Sequence, residues 1–119
     1  MAKRIAGVCY VKADGKQFDV AGGLECPLSD VKRETIAAVT GPSGYKETAL
    51  TPYVKIQANF TDDFPIDVIR SATTLVVTAE FANGKVYTLS DAYVVGEPSV
   101  KNDDGQAELT FEGMKGVWL

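Results

Sequence analysis

VKRETIAAVTGPSGYKETALTPYVKIQANF, residues Val31 to Phe60, reads as two extended segments joined by a long loop, Val39 to Thr51. The loop holds two glycines, a proline, a tyrosine and the charge pair Lys46/Glu47. Connecting neighbouring strands takes only about two to five residues, so this loop exceeds what a hairpin requires. A surplus of that kind on a small domain points outward, to another molecule. The ascending arm, Val31 to Val39, alternates poorly: the consecutive charges Lys32, Arg33 and Glu34 give way to Thr35-Ile36-Ala37-Ala38. A strand polar at one end and small and apolar on both faces at the other implies surroundings that change along its length. The descending arm is cleaner, with Val54, Ile56, Ala58 and Phe60 on one face and Tyr53, Lys55, Gln57 and Asn59 on the other. One face is core and the other is wet.

Upstream, Arg4 to Ala13 is strand-like, with Ile5, Cys9 and Val11 on one parity and Arg4, Tyr10 and Lys12 on the other. Asp14-Gly15 signals a hairpin that returns through Gln17 to Val20. Ala21-Gly22-Gly23 breaks the chain, and Leu24 to Asp30 crosses to the central hairpin through Pro27. Downstream, Asp62-Asp63-Phe64-Pro65 predicts an Asp-capped helix over about 63–71, of roughly two turns, with Phe64, Ile66, Val68 and Ile69 toward the sheet. The period then returns to two: Leu75, Val77, Ala79 and Phe81 point inward against Thr74, Thr78 and Glu80. Asn83-Gly84 is the strongest hairpin signal, returning through Lys85 to Ser90. Asp91 to Glu97 and Gly105 to Gly113 complete the sheet, the latter with Ala107, Leu109 and Phe111 inward. Between them Pro98 to Asp104 reads as a polar loop, and the tail 114–119 ends beside the single tryptophan, Trp118. The expectation is one mainly β domain over 1–119: a small antiparallel barrel or sandwich with one short helix and a long protruding hairpin loop, 39–51.

At 119 residues the chain is long enough to bury roughly two thirds of its unfolded surface. Hydrophobic content of 45% against 24% charged places it with ordinary globular chains and not with disordered ones. Its net charge of −4 argues against gripping phosphates by charge, while an acidic wall would let a polyanion pass. The N-terminus MAKRIAGVCYVKAD lacks the apolar run of a signal peptide, and no stretch is apolar enough to span a bilayer. Cys9 and Cys26 read as reduced, buried small hydrophobes. Histidine is absent, which removes the commonest general base and metal ligand together.

Motifs for catalysis fail on inspection. Gly41-Pro-Ser-Gly-Tyr-Lys46 is not a phosphate loop, since Glu47 follows the lysine and no helix stands behind it. Asn102-Asp103-Asp104-Gly105 would put Val100 and Phe111 at the first and last ligand positions of a calcium loop, so it is a solvated turn. Glu108 and Glu112 share one strand face instead of facing each other, and Ser43 and Ser90 have no histidine partner. The reading is therefore of a non-enzyme with no cofactor and no metal.

Three runs resemble the Mu-like tail tube proteins of contractile-tailed bacteriophages: Gly41-Pro-Ser-Gly-Tyr-Lys-Glu47 followed by Pro52-Tyr53, Asn83-Gly-Lys-Val-Tyr-Thr-Leu-Ser-Asp-Ala-Tyr93, and Gly105-Gln-Ala-Glu-Leu-Thr-Phe-Glu-Gly113. The likeness extends from about Ala2 to Trp118 and rests on the order and spacing of these runs together. It implies a β-barrel or sandwich with one helix that forms six-fold rings stacked into a hollow tube. It further implies a sheath around the tube, a tape-measure protein inside it before ejection, and baseplate and tail-terminator proteins as partners. DNA would pass through without specific binding. The location implied is the virion tail, assembled in the host bacterial cytoplasm. If each copy lends about four strands, six copies give ~24 strands, a backbone circle of ~48 Å and a lumen of ~40 Å.

Two sets of site residues follow. Thr40, Gly41, Pro42, Ser43, Gly44, Tyr45, Lys46 and Glu47 of the loop, with Tyr53, are expected at an interface between copies or rings, Lys46 and Glu47 setting its register. Glu80, Glu108 and Glu112 are the candidates for an acidic lumen, where repulsion would keep phosphates moving. Each glutamate alone would equally suit a solvated outer surface. Trp118, with Met114 and Val117, packs either on the chain's own core or on a neighbour. The rival readings are a ligand- or carbohydrate-binding β-sandwich, which needs an exposed aromatic platform, and a type VI-like secretion tube subunit.

Overall fold

The computed structural model describes residue 2 and residues 9–119, with only the backbone of Cys9. The expected strand residues Arg4 and Ile5, and the burial of Cys9, lie outside the described residues. In chain order the elements are β1 (Cys9–Ala13), β2 (Lys16–Phe18), β3 (Val20–Glu25), β4 (Val31–Ala38), β5 (Gly41–Ala49), β6 (Tyr53–Asn59), α1 (Ile66–Ser71), β7 (Leu75–Phe81), β8 (Val86–Val94), β9 (Ser99–Lys101), β10 (Gln106–Glu112) and β11 (Lys115–Trp118). Among the described residues no helix is long and apolar enough to cross a membrane.

Alternation dictates the architecture. Leu75, Val77 and Ala79 on β7, Val54, Ile56 and Ala58 on β6, and Ala107, Leu109 and Phe111 on β10 are all buried, as the period-two pattern requires. They meet Val11, Ala13, Phe18, Tyr87, Leu89 and Ala92 in one core between two antiparallel layers. The first layer runs β2-β1-β7-β8-β11, and the second runs β3-β6-β10 with the end of β8 beyond it. The arrangement is sandwich-like and does not close as a barrel.

β8 joins the two layers. Its first part pairs with β7 up to Leu75↔Ala92, whereas Tyr93 and Val94 pair with Glu112 and Phe111 of β10. A register shift between Leu75 and Val77 leaves an extra residue on β8, where Asp91 has φ 51°. A bulge of this kind bends a strand, which lets one strand serve two layers. The sequence reading divides β8 into Lys85–Ser90 and Asp91–Glu97 because a bulge interrupts the pattern at the same place. Glycines mislead in a similar way in β3. Gly22 and Gly23 accompany two register shifts against β6, and Gly23 (φ 68°) lies against the Gln57 side chain, yet the strand continues to Glu25. β9 and β11 are short strands where a polar loop and an unassigned tail are expected; they pair with β10 and β8.

The protruding hairpin is present, but its composition corrects the expected one. Val31–Val39 does not pair with the strand after Thr51. β4 pairs with β5, so most of the expected loop 39–51 is itself a strand and only Val39 and Thr40 turn. Ser43 sits at a bulge between the pairs Ile36↔Gly44 and Ala37↔Pro42, which absorbs a proline that a regular central ladder would not accept. The helix also starts later than expected. Pro65 occupies the cap with ψ 72°, and no side chain caps it, because residue 64 precedes a proline and is steered away from helical angles. Asp63 instead accepts a hydrogen bond from the Thr61 hydroxyl. Phe64 wedges between Phe18 (centroids 5.7 Å) and Phe60 (5.1 Å), fixing α1 to the body.

Candidate assembly surfaces

The β4–β5 arm packs on itself. Every residue from 32 to 40 and from 42 to 50 is exposed, with Val31 and Gly41 half-buried. Charge is confined to its stem, where Arg33 Nε meets Glu47 Oε2 at 3.2 Å and Glu34 takes Lys32 at 3.4 Å and Lys46 at 3.8 Å. Lys46 and Glu47, expected to set register with a neighbour, thus cross-link their own arm. Pairs this exposed contribute about 0–1 kcal/mol each. Arg33 also lies 6.0 Å from the Tyr45 ring centroid. Beyond it the tip is uncharged: Ile36, Ala37, Ala38, Val39, Thr40, Gly41, Pro42, Ser43, Gly44.

Tyr53 belongs elsewhere. It begins β6 on the outer face of the second layer, and its hydroxyl donates to Glu25 Oε2 at 2.8 Å. That hydrogen bond, with desolvation second, holds the phenol pKa above its ordinary value. The same face carries Gln57, whose amide donates to Glu108 Oε1 at 3.2 Å, and Asn59, whose amide donates to Asp19 Oδ2 at 3.2 Å. Glu112 shares it, opposite Tyr53 and Tyr93. Among the described residues, Asp19, Glu25, Glu108 and Glu112 here outnumber Lys55 and Lys101, so the face is acidic.

Glu80 is not on that face. It alternates with buried Ala79 on β7 and therefore lies on the outside of the first layer, opposite Tyr10 and near Lys12. The expected set of three glutamates is split by the core: Glu108 and Glu112 are together and Glu80 is behind them. Sequence parity places each residue outward but is blind to which layer its strand joins. Glu25 was missed because its strand hides behind Gly22-Gly23; the alternation of Val20, Gly22 and Leu24 against Ala21, Gly23 and Glu25 is the signal that finds it, and Asp19, just before that strand, lies on the same parity.

Trp118 docks on its own body. Its ring stacks on Phe81 (5.8 Å) and leans on Tyr87 (4.9 Å), and Nε1 donates to the Pro27 carbonyl at 2.9 Å. Burial first of all raises the Tyr87 pKa. Gly116 makes this possible, since a Cβ there would stand 1.9 Å from the Tyr87 hydroxyl. A tryptophan so engaged is not the exposed platform that a carbohydrate-binding sandwich requires.

Known proteins agree with this architecture. The structure is similar to the sheath/tube terminator of an extracellular contractile injection system, PVC, in its extended state (TM-score 0.62, 13% identity, 93% of this chain and 92% of that one). It is similar to Hcp1 from Flavobacterium johnsoniae (TM-score 0.61, 11% identity, 94% of each chain). A chain of the PVC sheath-tube complex matches at TM-score 0.61 and 13% identity over 93% and 87% of the two chains. No curated protein sequence matches. The family model described as phage tail tube protein matches residues 2–118. That family is structural and not enzymatic. The two-layer fold with its projecting arm and the match along almost the whole sequence lead to one assignment: this chain belongs to the phage tail tube protein family.

Proposed function

We propose that this chain is the tube subunit of a Mu-like contractile phage tail, stacking as hexameric rings into a conduit for DNA ejection. The observation that carries the reading is the second layer: β3-β6-β10-β8 is four strands wide, and its outer face is acidic and hydrogen-bonded. Four strands from each of six copies make the ~24-stranded wall with a lumen of ~40 Å, wide enough for a double helix. The borders of this layer suit closure by sister copies. β3 is an irregular edge, and the far side of β10 is only partly covered by three-residue β9 and the end of β8. Completing them would remove the exposed strand edges.

In this arrangement Glu25, Glu108 and Glu112 face the passing DNA and repel its phosphates. The first layer, with Lys12, Lys115, Val76 and Val117 outward, faces the sheath. A tape-measure protein fills the bore before ejection, and terminator and baseplate proteins close the two ends. The tube assembles in the host cytoplasm and functions in the virion. A type VI-like tube subunit would share the architecture; the family match favours the phage tail.

The charge assignment is tested by reversal. Tubes of Glu108→Lys/Glu112→Lys should retain duplex DNA at low salt, and tubes of Glu80→Lys should not. Retention by the Glu80→Lys tubes alone would put the first layer inside and overturn the assignment.

A further inference from the structure

Among the described residues two mainly apolar surfaces lie exposed at opposite ends, the first uncharged and the second bordered by one cation, Arg70. One is the arm tip, where Val39 is fully exposed and Tyr45 and Ile36 are 65% and 44% exposed. The other is a groove of about 220 Å³ at the far end of β6, lined by Phe60, Ile66, Pro98, Val100 and Leu109 together with the exposed Arg70. Phe60, Ile66 and Val100 remain 43%, 45% and 46% exposed. Three large apolar side chains exposed side by side mark a surface that a partner covers.

The topology says which partner. β6 runs from Tyr53, next to the arm's root, to Asn59, next to the groove, so the two are separated by a strand of about 23 Å. The arm extends another ~26 Å from its root to its turn. The molecule is accordingly 61 Å long, and the tip cannot fold back into its own groove. A contact joining one end of a copy to the opposite end of the next is heterologous, and its repetition stacks copies instead of pairing them. The tip also carries no charge between Ile36 and Tyr45, so it can be desolvated without stranding an ion. The stem, with its ion pairs already made, stays at the rim.

We propose that the arm tip of one copy, led by Val39, seats in the groove between Phe60, Ile66 and Val100 of a copy in the next ring. This rests on the tube reading and names the receiving surface for its arm. The larger groove beside Leu24, Leu28, Phe81 and Trp118 lies near the arm's root, so occupation there would relate neighbours side by side.

The test uses the full chain with Cys9 and Cys26 changed to alanine. Val39→Cys combined with Val100→Cys, oxidised in assembled tubes, should give a ladder of covalent multimers on a denaturing gel. Val39→Cys combined with Leu28→Cys should give none. Tubes that form without the first ladder, or that yield the second, overturn the proposal. Should the cysteine variants fail to assemble, a charge pair decides. Val39→Lys, which would meet Arg70 at the groove, and Val100→Glu, which would face the uncharged tip, should each raise the concentration needed for tube growth about tenfold or more, and together should restore it. Folded double mutants that show no restoration also overturn it. Failure of the tube reading is distinguishable, since the unsubstituted chain would then form no tubes.

Discussion

Excising the arm separates folding from assembly. Because β4 and β5 pair with each other, the cut must be symmetric about the turn: Lys32–Thr48 replaced by Asn-Gly keeps the Val31↔Ala49 pair. The removed residues, apart from half-buried Gly41, are all exposed and supply no buried apolar area to the body. The three ion pairs, each worth about 0–1 kcal/mol, disappear together with the segment they hold. Shortening the connection between β3 and β6 lowers closure entropy through roughly one doubling of length, a gain of about 0.7 kcal/mol. The body should therefore keep its stability to within about 1 kcal/mol. Urea unfolding followed by Trp118 fluorescence measures this, with sedimentation and electron microscopy scoring assembly. The excised chain should melt like the parent and form no tubes. A loss beyond about 2 kcal/mol would make the arm part of the folding unit, and tubes of normal length would refute its role in assembly.

Other expectations follow from the body. Trp118→Ala removes the Phe81 and Tyr87 contacts and strands the Pro27 carbonyl, so it should cost about 2–4 kcal/mol in a urea melt; in the parent, tryptophan emission should barely move on assembly. Gly116→Ala drives a Cβ into the Tyr87 hydroxyl and ring and should cost about 1–3 kcal/mol, with partial recovery in the Tyr87→Phe background. Tyr53 has a raised pKa in the fold, so the stability its proton confers is fully present below pH ~10 and is lost as pH rises through the folded value. The alkaline fall in denaturation midpoint should therefore be shallower in Tyr53→Phe, and equal slopes would show that the Glu25 bond contributes nothing.

What was legible in the sequence is what alternation reports. β6, β7 and β10 place their buried residues as their period-two patterns demand, except that Phe60, expected on the core face, lies past the end of β6 and is exposed; Asn83-Gly84 turns where its chemistry says. Illegible features share one physical cause: glycine, proline and bulges interrupt a pattern without ending a strand. Gly41, Pro42 and Gly44 make a two-stranded ribbon look like a loop, because a ribbon with two free edges tolerates residues a central strand would reject. Gly22-Gly23 hides β3, and Asp91 at its bulge makes β8 look like two strands. Parity assigns Glu80, Glu108 and Glu112 to outward faces. That they fall on different layers depends on long-range pairing, which local pattern does not encode. The lone tryptophan's place near the end of the chain was conspicuous, but its seat on Phe81 and Tyr87 required β11 to be recognised as a strand.

The central claim is that sister copies complete the borders of β3 and β10 and turn the acidic face inward. Cryo-electron microscopy of the concentrated, purified chain tests it most directly. The account predicts hollow stacks of six-fold rings, a bore of ~40 Å and Glu108 and Glu112 lining it. A chain that remains monomeric at high concentration, or a tube whose inner wall carries Glu80, would contradict it.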